Sequence, residues 1–217
     1  MSTSFLDQPA ATQGLRHAPT SIALHWITAV LVVLLFIIGK TIDYAPKGPL
    51  RIDYRSLHML LGITLGVVLV VRIVWRSTRG GMLPALDQGL LLVIARATHY
   101  LLYALMVVTV GLGITNVWVQ GDSIFNLVQV PQLVPGDRAL IHQVGDFHAL
   151  CADAVVIVAG LHSAAALFHH FVMRDATLRR MLPWGARCPS PDSPSPAPPS
   201  MMAMPATTGA AADGGRP

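Results

Sequence analysis

Four stretches of this chain are long and apolar enough to cross a lipid bilayer. They read SIALHWITAVLVVLLFIIGKTI (21–42), LHMLLGITLGVVLVVRIVW (57–75), ATHYLLYALMVVTVGLGITNVW (97–118) and FHALCADAVVIVAGLHSAAALFHHFVM (147–173). Each meets or approaches the ~20 residues that a helix needs to span the hydrocarbon core. A backbone in lipid must satisfy its own hydrogen bonds, which leaves the helix as the natural choice for such runs. Only 12% of the residues are charged, against about a quarter in soluble domains, so lipid is the expected solvent. The reading is an all-α membrane protein, a four-helix transmembrane bundle with helices at about 21–42, 57–76, 97–118 and 147–173.

The first run starts after a polar arm, is too long for the apolar region of a signal peptide and has no small-residue cleavage site behind it, so it reads as a retained span. An even number of spans puts both termini on one side. Near the helix ends, Arg16, Arg76, Arg79, Arg96, Arg174, Arg179, Arg180 and Arg187 fall on the side of the termini, and Lys40, Lys47, Arg51, Arg55 and Arg138 on the other. That bias predicts cytoplasmic N- and C-termini. Residues 1–20 read as a mobile arm, 21–183 as the membrane domain and 184–217, rich in Pro, Ser and Ala, as a disordered tail. In the connections, SIFNLVQVPQLVP (123–135) suggests a short amphipathic cap over the outer end of the bundle. Cys151 falls within the fourth span and Cys188 in the tail, so no disulfide framework is expected.

Of the nine histidines, His25, His58, His99, His148 and His162 fall within the spans, and His169 and His170 at the very end of the fourth. An imidazole inside a membrane needs a partner and is a functional candidate by default. From His148 to His162 is 14 residues, about 21 Å of helix rise and roughly 40° short of four turns, so the two project from nearly one face at opposite depths. The helices alternate in direction, which places His58 with His148 at the outer level and His25 with His162 at the inner level. Two facing imidazoles at each of two levels suit bis-histidine haem b, whose iron takes one neutral nitrogen from each side. A zinc or copper site needs three or four ligands at one level.

His99 falls at the inner level too, where it competes with His25 for the iron, borders the haem, or serves a quinone. His169 lies seven residues beyond His162 on a similar face, and with His170 it faces lipid headgroups or a substrate. His142 and His17 read as loop residues. Arg72 either snorkels to the cytoplasmic interface or pairs with propionates of the inner haem. Lys40, Lys47, Arg51 and Arg55 form a basic outer patch, interrupted by Asp43 and Asp53, suited to the outer haem or to small anions. Gly62, Gly66, Gly111, Gly113, Gly160, Ala164 and Ala165 admit either a flat macrocycle or a close helix neighbour.

These motifs together, IALHW, LHMLLGI with VRIVWR, THYLLYALM, and FHALCADAVVIVAGLHSAAALFHHFVMRDATLRRMLP, resemble the prokaryotic cytochrome b561 family over about residues 15–183. The resemblance implies a di-haem cytochrome, with two haem b, of the bacterial inner membrane. Such a protein passes electrons from a donor to the quinone pool, with ubiquinone as acceptor, and His25, His58, His148 and His162 match the family's haem-ligand positions. Some members look like superoxide oxidases, so superoxide at the periplasmic face is a candidate donor. Related cytochromes anchor hydrogenases and formate dehydrogenases, which makes an electron-relaying anchor subunit for a partner dehydrogenase or c-type cytochrome the alternative. A haem-free channel or metal transporter is a third reading, disfavoured because Asp153 is the one clear carboxylate in the spans. The expected partners are membrane lipid, quinone and a periplasmic donor, with no nucleic acid.

Overall fold

The computed structural model describes residues 18–78, 89–174 and 177–183. The residues of the N-terminal arm up to 17, the Gly-Gly and Pro of the second loop, and the tail from 184 lie outside the described residues, as do His17 and Cys188. Helix α1 runs Pro19–Ile42 with proline in its first turn, where a missing N–H costs no intrahelical bond. Helix α2 is Pro49–Thr78 and α3 is Leu90–Gln120, closed by Gly121 at φ 68°, a left-handed C-terminal stop that glycine adopts without strain. Helix α4 is Arg138–Phe171, and the Asp137 carboxylate accepts the Leu140 N–H at 2.9 Å to cap it. A short 3-10 turn, Arg179–Met181, follows. All four helices are long and apolar enough to span a membrane.

Helices α2, α3 and α4 begin at 49, 90 and 138, well before the apolar runs at 57, 97 and 147. Hydropathy marks where lipid begins, but a helix continues into water wherever no breaker stops its hydrogen-bond ladder. His142 consequently sits in the first turns of α4 and not in a loop. The cap expected over 123–135 contains a two-stranded hairpin, with β1 Ser123–Ile124 antiparallel to β2 Val128–Gln129. Its turn residues Phe125 and Asn126 have φ of 49° and 57°, the mirror-image turn that matches strand twist.

The helices pack as two antiparallel hairpins, α1 with α2 and α3 with α4. Trp75 Nε1–H donates to Ser21 Oγ at 3.2 Å and Trp26 Nε1–H to the Met181 carbonyl at 2.7 Å, tying the inner ends. Two buried clusters form the core, Leu31, Leu35 and Leu65 in one, and Leu69, Met106 and Val155 in the other. In helix register these residues fall midway between the two histidine levels. The core is thus an apolar plug across the middle of the bundle, while Val70, Ile157 and Leu161 are among the many large apolar side chains left exposed on its outside, as a lipid-facing surface requires.

Candidate functional site

At the outer level His58 from α2 meets His148 from α4, their ring centres 6.1 Å apart and their planes at 83°. Each ring rests on the other helix of its own hairpin. His148 Nδ1–H donates to the Thr109 carbonyl at 3.0 Å, and a Cβ placed on Gly113 would stand 3.1 Å from its Cε1. His58 lies against Gly39 in the same way. Its Nδ1 is buried without a hydrogen-bond partner, and the Leu35 backbone lies near the ring.

At the inner level the His25 and His162 ring centres are 6.4 Å apart, with planes at 72°. His99 comes closer to His162, at 5.1 Å, and its Nδ1–H donates to the Ala95 carbonyl one turn back on its own helix at 2.6 Å. Arg72 Nη2 donates to His25 Nδ1 at 3.1 Å, and its guanidinium carbon lies 5.3 Å from the centre of the Tyr103 ring.

The two pairs fit an iron held from both sides. A metal–imidazole bond of about 2 Å, plus roughly 1 Å from ring nitrogen to ring centre, puts two coaxial imidazoles ~6 Å apart. Separations of 6.1 and 6.4 Å match this, and the 5.1 Å between His99 and His162 is too short for two ligands on opposite sides of one metal. At His148 the bond from Nδ1 to a carbonyl fixes the tautomer that leaves Nε2 as the lone-pair nitrogen. Gly62, one turn along α2 from His58, has no atom within 4 Å of an added Cβ. Among the described residues no three His, Cys, Asp or Glu side chains converge on a point for a bare ion. The donor pattern is pairs.

The other residues singled out in the sequence are dispersed. His169 is half-buried in the last turn of α4. Lys40 leaves the basic patch and pairs with Asp153 at 2.7 Å, joining α1 to α4. Lys47, Arg51 and Arg55 line an outer cavity of about 270 Å³ with Asp122 and Ser123. Within it Arg51 donates to the Ala45 carbonyl at 2.7 Å, and Arg55 pairs with Asp122 at 2.6 Å. Burial raises the Asp122 carboxyl above the usual carboxylate range, with Arg55 acting in opposition. Gly66 admits a close neighbour, Val110 of α3, while Gly111 and Gly160 face open space, and Ala164 and Ala165 are exposed. Sequence reasoning missed Gly39, Thr109, Tyr103 and Ser56. Gly39 alone carried a signal, being a glycine within an otherwise bulky span.

An apolar four-helix bundle that presents apposed imidazoles at two depths defines a class, the b-type membrane cytochromes of electron transport. The particular family follows from comparison with known proteins: the model of prokaryotic cytochrome b561 matches residues 16–184, and the chain belongs to that family. It is 33% identical over 181 residues to cytochrome b561 homolog 2 of Escherichia coli, covering 77% of this chain and 91% of the relative. It is 27% identical over 172 residues to the probable superoxide oxidase CybB of Yersinia pestis, covering 77% and 96%. With cytochrome b562 of Cereibacter sphaeroides it shares 28% identity over 186 residues, covering 79% and 98%. The protein is a multi-pass protein of the bacterial inner membrane.

Proposed function

We propose that the protein carries electrons from a donor at the periplasmic face to ubiquinone through two haem b, the outer held by His58 and His148 and the inner by His25 and His162. The observation that carries this reading is the pair of imidazole separations, 6.1 and 6.4 Å, at two depths of one bundle. When bound, each haem supplies a one-electron carrier whose potential is set by its ligands, burial and nearby charge. The chain's own residues do the rest. The Thr109 carbonyl orients His148, and the plug of Leu31, Leu35, Leu65, Leu69, Met106 and Val155 keeps water from the space between the levels. Iron on Nε2 of His25 requires the ring proton to sit on Nδ1. Arg72, which only donates and now lies 3.1 Å from that atom, would then be the cation available to a haem propionate. His99, closer to His162 than two ligands on opposite sides of an iron would stand, and His169 near the inner surface are the contacts we assign to quinone.

Superoxide is the donor favoured at the outer face. The cavity lined by Lys47, Arg51 and Arg55 suits a small anion, and one relative is named a probable superoxide oxidase. The test is a reduced-minus-oxidised spectrum of purified protein with pyridine-haem quantitation, then exposure to enzymatically generated superoxide with added ubiquinone. Two haems per chain, one lost in each of His58→Ala and His162→Ala, with superoxide-dependent quinol formation, are expected. A colourless protein would refute the electron-transfer reading. Two haems that superoxide does not reduce would refute only the donor.

A further inference from the structure

We propose that Gly39 and Gly113 are positioning residues that seat the two outer imidazoles, and that each helix hairpin thereby carries a preformed half of the outer haem centre. The proposal rests on the assignment of His58 and His148 to that haem.

The two seats are built alike. A Cβ on Gly39 would stand 3.1 Å from His58 Cε1 and 3.6 Å from its Nδ1; one on Gly113 would stand 3.1 Å from His148 Cε1 and 3.5 Å from its Nδ1. The Thr109 carbonyl that accepts from His148 Nδ1 lies four positions before Gly113, and Leu35, whose backbone lies near the His58 ring, lies four positions before Gly39. In both, the glycine lies on the antiparallel helix of the same hairpin, α1 for His58 and α3 for His148. Each ring therefore rests its Cε1–Nδ1 edge on a neighbouring backbone, and Nε2 is turned away from the seat toward the opposite hairpin. Only a residue without a side chain lets the ring come so near the helix axis. A methyl group at 3.1 Å is tighter than ordinary packing, so the ring would have to move by a few tenths of an ångström. That is a large displacement against a metal–nitrogen bond of about 2 Å.

Gly145 is the internal control, for it lies in α4 one turn before His148 and a Cβ on it would meet only Asn116 Oδ1, at an ordinary 3.9 Å. Alanine is a better helix former than glycine, so helix propensity alone makes all three alanine variants at least as stable as the parent. The experiment compares Gly39→Ala, Gly113→Ala and Gly145→Ala in the purified full chain. It reads haem content, the electron paramagnetic resonance signal of each haem, and the rate at which each haem is lost to apomyoglobin.

The expected result is that Gly39→Ala and Gly113→Ala lose the outer haem about 10-fold faster, the scale on which groups that orient a metal ligand act. Its resonance signal should shift while the inner haem's is unchanged, and Gly145→Ala should match the parent. Parent-like outer signals and loss rates in Gly39→Ala and Gly113→Ala would overturn the proposal. So would loss of both haems together in these two variants, which would make the glycines a requirement of the fold and not of the outer ring. If instead the parent chain holds no haem dependent on His58 and His148, the underlying functional assignment fails, an outcome visible before any glycine is changed.

Discussion

The His99 and His162 rings stand 5.1 Å apart, closer than the 6.4 Å between His25 and His162, and on the proposed reading it is the longer separation that would suit two nitrogens on opposite sides of an iron. His25→Ala should therefore lose one haem per chain, whereas His99→Ala should keep both and change only the inner haem's spectrum or the reaction with quinone. Pyridine-haem quantitation of the two variants decides the matter. The reverse pattern would transfer the ligand role to His99.

Arg72 lies against His25 and the Tyr103 ring, so its positive charge favours the reduced form of a haem held there. At a few ångströms' separation in a protein-like dielectric one charge is worth a few kcal/mol at most. Arg72→Gln should lower the inner haem's midpoint potential by ~50–100 mV, taking 59 mV per tenfold for one electron. Arg72→Lys should recover part of the shift, and the outer haem should not move. A potentiometric titration followed in the visible reads both.

Ser56 is fully buried and holds the outer hairpin from below. Its Oγ donates to the Ile52 carbonyl at 2.8 Å and accepts the Phe125 N–H at 2.8 Å. Phe125 has left-handed φ, a conformation that bulky residues adopt only when held. Ser56→Ala leaves that N–H without its acceptor, at about 1–2 kcal/mol. Amide exchange at Phe125 and its neighbours should quicken about 10-fold, with exchange in the helix cores unchanged. Unaltered exchange in the hairpin would mean that Ser56 does not anchor it.

The Arg55–Asp122 pair carries a pH signature. Burial raises the Asp122 carboxyl above its usual range, so the folded chain holds that proton more tightly than the unfolded chain. Its contribution to stability is therefore greatest at low pH and declines as pH rises from the ordinary carboxylate value through the raised one. Asp122→Asn should remove this slope and be no less stable than the parent at pH 7. Arg55→Met should cost about 1–3 kcal/mol by leaving a carboxylate that is only 10% exposed without its cation. Thermal unfolding in detergent between pH 4 and 7 measures both, and a stability that rose with pH in the parent and fell in Asp122→Asn would contradict the sign.

Much of the site was legible because depth along a membrane helix is a matter of counting. The 14-residue step from His148 to His162 and the alternating helix directions suffice to sort His25, His58, His148 and His162 into two levels. The helix starts were not legible, because PLRIDYRS and RALIHQVGD are polar enough to read as loop, although Pro49 at the first position of its helix breaks no intrahelical bond and Gly145 is accommodated within α4. Nor was the hairpin over Phe125 and Asn126, whose left-handed turn lacks the glycine that usually announces one.

By itself the sequence determined the solvent, the four spans, their alternation and the depth of each histidine, since these follow from hydrophobic length and helix rise alone. The tertiary structure decided which histidine ring faces which and at what separation, that Lys40 turns to Asp153, and that Gly39 and Gly113 lie against His58 and His148. Those relations depend on how each helix is rotated about its axis against its neighbours. That rotation is set by side chains packing across helices, such as Gly66 against Val110 and Leu69 against Met106 and Val155, and no periodicity within a single helix records it.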